Sequence, residues 1–130
     1  SVAASVVLLI GFWMGSSQQN EPVDMGDFSP QMAETQNYFV ASINQELKEL
    51  EKYRSLDTEV IIEDALEELE ELEYSYKAFV EDLNKNGYEK RIIQQMISNY
   101  QQRLDVLENV LEQIEELKNT NNTQNNEAYI

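Results

Sequence analysis

The 130-residue chain has no cysteine and no histidine, and only one tryptophan and two prolines. Without cysteine there is no disulfide, no thiolate nucleophile and no lipoprotein-type lipidation site. Without cysteine and histidine, the common zinc ligands and the usual neutral-pH general base are also missing. The lack of cysteine leaves the redox compartment open, because a cysteine-free helical domain suits the cytosol or the exterior equally. Positive charge is scarce as well: Lys and Arg number 9 against 25 Asp and Glu, for a net charge of -16. A field of that sign repels phosphate, which excludes direct DNA or RNA binding and disfavours anionic headgroups.

The scarcity of charge is complete over residues 1–15, where Val2, Val6, Val7, Leu8, Leu9, Ile10, Phe12, Trp13 and Met14 dominate. Fifteen helical residues rise about 22 Å, whereas a bilayer core of about 30 Å needs roughly 20. The run starts with Ser and not Met, so it reads as the outer part of a transmembrane helix cut short. Trp13, beside the polar "SSQQN", stands where an interfacial aromatic anchor belongs. Two other readings stay open: the hydrophobic region of a signal peptide, with "MGSSQ" as its cleavage site, or a buried core helix. No Lys or Arg follows until Lys48, so the following domain is expected on the outer, periplasmic side.

Residues 16–28 carry Pro22 and Gly26 and lack apolar periodicity, which reads as a linker. Ser29-Pro30 is an N-cap followed by proline at the first helical position. A first helix is expected to about residue 53, with Met32, Phe39, Ile43, Leu47, Leu50 and Tyr53 on one face. Asp57 is expected to cap a second helix from Thr58, with Leu56 stapling against Ile61. Its seam is Ile62, Ala65, Leu69, Leu72, Tyr76, Phe79 and Leu83, widened by Leu66 and Val80, and Asn86-Gly87 ends it. A third helix over 88–118 has the seam Ile93, Ile97, Tyr100, Leu104, Leu107, Leu111 and Ile114. Short connections between long amphipathic helices predict an all-α, up-down-up antiparallel three-helix bundle over residues 29–118. The Asn-rich residues 119–130 are expected to be a disordered tail, and the sequon Asn121-Asn122-Thr123 within it reads as a chance match.

No catalytic, cofactor-binding or metal-binding residue stands out. Glu63, Glu67, Glu70, Glu71 and Glu81 lie away from the second seam and read as a solvated acidic face. A di-iron bundle site would need inward-pointing Glu and His, and there is no His. Glu46 and Glu73 fall beside seams and are expected to reach out to water. Most aromatic residues fit core packing, but Tyr38, Tyr74 and Tyr88 fall off the seams. Together with Glu63, Glu67, Glu70 and Glu71 they form the candidate partner-facing set.

The segments "SPQMAETQNYFVASINQELKEL" and "MISNYQQRLDVLENVLEQIEELK", joined by the acidic helix and preceded by the apolar run, resemble the C-terminal part of single-pass membrane anti-sigma factors of Bacteroidetes. The resemblance covers roughly residues 1–117. It implies a cytoplasmic segment before Ser1 that restrains an RNA polymerase sigma factor, and an outward domain that senses or couples a signal. On that basis the chain is expected to be a non-enzymatic, cofactor-free module at the inner membrane. Residues 1–15 would be its membrane contact and a sigma factor its protein partner. The alternative is a structural or adaptor-type periplasmic bundle acting only through protein contacts.

Overall fold

The computed structural model describes residues 23–128, with side chains through residue 124. The expected transmembrane segment at residues 1–15 and most of the 16–28 linker lie outside the described residues. Among the described residues there are three α-helices and no strand: α1 (Pro30–Lys52), α2 (Glu59–Asn86) and α3 (Lys90–Ala128), preceded by a 3-10 turn at Met25–Asp27. None of these helices is long and apolar enough to cross a membrane.

Each boundary has a local cause. The Ser29 hydroxyl accepts a hydrogen bond from the Met32 N–H at 3.1 Å, satisfying one free donor of the first turn of α1, where Pro30 has none to satisfy. At the other end of α2, Gly87 takes φ 82° and ψ -174°, and its N–H donates to the Leu83 carbonyl at 2.8 Å. That combination of angles is open almost only to glycine.

The start of α2 corrects the sequence reading. Thr58, not Asp57, is the residue before the helix. Its hydroxyl turns back into the loop, donating to the Tyr53 carbonyl at 2.7 Å and accepting from the Ser55 N–H at 2.9 Å. Thr58 is buried in doing so, while Asp57 is exposed. Leu56 is 93% exposed and makes no staple. The loop's own carbonyl needed a donor, and a threonine hydroxyl supplies one where a carboxylate cannot.

The core is continuous. Phe39, Ile43, Leu47 and Leu50 line the buried face of α1, and Ile62, Ala65, Leu66, Leu69, Tyr76 and Leu83 that of α2. α3 packs against both other helices, so its buried surface is wider than one stripe. Ile92, Met96, Tyr100, Leu107 and Ile114 are almost completely inaccessible, and Asn99, Arg103 and Val110 are buried with them. The expected seam residues Ile97, Leu104 and Leu111 are only half-buried. Burying each large aliphatic side chain contributes roughly 1.5–3 kcal/mol before entropy is counted.

Two segments are more ordered than their composition suggests. Residues 23–28, expected to belong to a linker, carry the 3-10 turn, whose Asp24 and Asp27 form a reciprocal capping box around a completely buried Met25. The expected tail continues α3 to Ala128. No Gly or Pro interrupts it, and each added residue extends a helix already nucleated by the packed part. The Thr120 and Thr123 hydroxyls donate back to the Glu116 and Asn119 carbonyls, at 2.9 Å each.

Gly87 meets nothing within 4 Å of where a Cβ would stand, so its replacement tests backbone strain alone. Gly87→Ala is expected to lower the unfolding free energy by about 1–3 kcal/mol, read from urea denaturation midpoints with the slope unchanged.

Candidate functional site

The helical period places Tyr76 on the buried face of α2 and Asn99, Tyr100 and Arg103 on that of α3, so polar atoms are carried into the core and must find partners there. They find one another. Phe39 of α1 stacks on the Tyr100 ring at 5.3 Å with 5° between planes, and Tyr76 lies against Tyr100 at 4.9 Å. The Gln36 amide of α1 donates to both phenol oxygens, at 3.3 Å to Tyr76 and 3.1 Å to Tyr100. The Arg103 guanidinium sits 5.0 Å and 4.8 Å from the centres of the Tyr76 and Tyr100 rings. Its Nε donates to Asn99 Oδ1 at 2.8 Å, and the Asn99 amide donates to the Leu72 carbonyl of α2 at 2.7 Å.

The segment before α1 is plugged into this cluster. The Tyr76 hydroxyl donates to Asp24 Oδ1, and the Gly26 N–H donates to Gln36 Oε1 at 3.1 Å. A Cβ at Gly26 would run into that same oxygen, so a larger residue there would push the Gln36 amide out of its hydrogen bonds. Asn84 of α2 holds Val23 from both sides, accepting from its N–H and donating to its carbonyl, each at 2.9 Å. Burial raises the Tyr76 pKa far out of the working range, reinforced by Tyr100 and Asp24. Burial likewise pushes Tyr100 up to about 12, opposed by hydrogen bonds from Tyr76 and Gln36. Both phenols therefore stay protonated and act as hydrogen-bonding posts, not as acids.

Two glutamates depart from the expectation that they reach water. Glu73 is 7% exposed, and its charge acts on Arg103, whose pKa burial lowers and whose neighbouring Tyr100, Glu73 and Tyr76 raise it again. A buried guanidinium needs such company, because an ion desolvated alone costs several kcal/mol. Glu46 of α1 is half-buried, and its Oε2 is shut from water without a hydrogen-bond donor. Burial and the nearby Glu108 of α3 raise its pKa above the ordinary 4.5.

The expected partner-facing residues are all exposed. Tyr88 lies against Phe28 at 5.2 Å, and Tyr38 meets Phe39 edge-on at 5.7 Å. Among the described residues no ring contact joins Tyr38, Tyr74 and Tyr88 into one patch. Glu63, Glu67, Glu70 and Glu71 follow the outer side of α2, and Glu71 lines a groove. That groove, of about 470 Å³, runs between α2 and α3 and includes Glu68, Ser75, Gln102 and Asp105. A second groove of about 390 Å³ lies between Tyr53 and Lys118, whose ammonium stands 4.1 Å from the Tyr53 ring. Among the described residues no group of three His, Cys, Asp or Glu side chains is arranged to hold a metal ion. What the buried cluster can do chemically is hold the entering chain against α1 and α2.

Sequence reasoning missed Asp24, Met25, Gly26 and Gln36. The "DMGD" pattern, two carboxylates three residues apart around an apolar residue, was the available signal for a capped turn. Gln36 carried no signal, because a glutamine on a polar helix edge reads as solvated.

Met25→Ala is expected to remove about 2–5 kcal/mol of stability in urea titrations, whereas a free tether would leave the midpoint unchanged. Glu46→Gln tests the orphaned carboxylate. With a folded pKa above its ordinary value, Glu46 contributes stability fully present below that ordinary value and lost as pH rises through the folded one. The variant should therefore be more stable than the parent at neutral pH, with the gap closing as pH falls towards the ordinary carboxylate range; a variant no more stable at neutral pH contradicts this. Comparison with protein-family models, with curated proteins and with solved structures gives no match, so the functional reading rests on the residues and their geometry.

Proposed function

We propose that the chain is the coupling module of a single-pass, membrane-anchored regulatory protein of the anti-sigma type, facing the periplasm and acting through protein contacts and not through catalysis. The observation that carries this reading is the docking of residues 23–28, seven residues beyond the apolar run, onto the bundle: Asp24 and Gly26 bond Tyr76 and Gln36, and Val23 bonds Asn84 at the surface. A free linker would isolate the bundle from whatever precedes it. A docked one leaves only residues 16–22 between the bundle and the apolar run.

In this reading the helices run up-down-up. Support comes from the order of contacts. Phe39 meets Tyr100 and Tyr53 meets Lys118, rising together along α1 and α3. Asp82 meets Arg91 while Leu72 meets Asn99, so the α2 positions fall as those of α3 rise. A signal or partner that prefers one packing of the core shifts the equilibrium between docked and undocked residues 23–28, and the apolar run passes that bias inward. The sigma-binding segment would precede Ser1, as the resemblance implies.

The test uses the full-length gene product with the sigma factor encoded beside it. The expected outcome is a stable complex for the parent. Gly26→Ala, which drives a Cβ into Gln36, should weaken or release that complex several-fold, while Leu56→Ala, at the exposed turn before the other end of α2, does not. No sigma binding by the parent overturns the anti-sigma reading and favours an adaptor-type periplasmic bundle. Binding that ignores Gly26→Ala overturns the coupling.

A further inference from the structure

We propose that the corner of the bundle where the chain enters, built on Val23, Phe28 and Tyr88, rests on the lipid bilayer at headgroup level. The inference rests on the reading above that residues 1–15 lie in a membrane, and adds a second, peripheral contact made by the folded domain itself.

The corner gathers exposed apolar surface from distant parts of the sequence. Phe28 is 53% exposed, Tyr88 41% and Val23 38%. The two rings lie 5.2 Å apart, and both polar atoms of the Val23 backbone are bonded to Asn84, four residues before Tyr88. An apolar body with a phenol tip is the chemistry enriched at membrane–water interfaces.

Charge selects the same corner. Lys85, Lys90 and Arg91 are all exposed there. They stand beside Asp24, Asp27, Asp82 and Glu89, with Arg91 paired to Asp82 at 3.6 Å and to Glu89 at 3.4 Å. With the exposed Glu81, four residues before Lys85, three cations stand against five carboxylates, a smaller acidic excess than the chain's 25 to 9. The more acidic remainder of the surface is repelled by anionic headgroups, whereas this corner can approach a zwitterionic surface. The tether agrees in length: residues 16–22 lie between the apolar run and Val23, and seven residues reach at most about 25 Å.

The experiment uses the full chain in phosphatidylcholine vesicles with brominated acyl chains, which quench nearby indole fluorescence. Trp13, the single tryptophan, reports the apolar run in the parent. Two reporters follow, Trp13→Phe/Tyr88→Trp and Trp13→Phe/Tyr74→Trp, both at exposed sites. Quenching several-fold stronger at position 88 than at position 74 is expected. Equal or absent quenching at 88 while Trp13 is quenched overturns the contact and leaves the anchor standing. Quenching at 88 with Trp13 unquenched overturns the anchor and leaves the contact. No quenching at any position overturns both.

Discussion

Tyr76 carries a hydroxyl into the core, and a buried hydroxyl without partners costs about as much as several well-packed methyl groups contribute. The structure meets that demand from two sides. Asp24 accepts the phenol proton, and the Gln36 amide donates to the oxygen. Meeting it brings in residues 23–28, which pack Met25 into the core and bind Asn84 on the way. The entry of the chain and the placing of Gln36 both serve to satisfy that one oxygen.

Arg103 poses the same problem with a full charge. Its guanidinium is desolvated against two phenol rings, near Glu73 and bonded to Asn99, which in turn reaches a carbonyl of α2. An apolar side chain at that position would be cheaper to bury. The partners of Arg103 lie on both α2 and α3, so sliding one helix past the other would break bonds that interchangeable leucines would not lose.

Those polar residues also explain where the heptad-like pattern misled. Scoring only apolar residues in α3 picks Ile93, Ile97, Tyr100, Leu104, Leu107, Leu111 and Ile114. The buried face adds Ile92, Met96, Asn99, Arg103 and Val110 to Ile93, Tyr100, Leu107 and Ile114 of that seam, a set displaced to one side of it round the helix. It was hidden because two of its members are polar, and hydropathy assigns polar residues to water. The helix ends at Ser29-Pro30 and Asn86-Gly87 were legible because they depend on local backbone chemistry. The Asp57 cap and the Leu56 staple were not, because a buried loop carbonyl decided that turn.

The sequence by itself determined that the described chain is helical, where α1 begins and α2 ends, and that its surface is acidic, since hydrogen bonding within a turn, glycine's backbone freedom and side-chain charge are properties of a few neighbouring residues. Only the tertiary structure decided that residues 23–28 are part of the folded unit and that Glu73, Asn99 and Arg103 are interior. Those outcomes depend on which distant groups arrive within hydrogen-bonding reach, and a buried polar atom takes its partner from across the core, sixty residues away if need be.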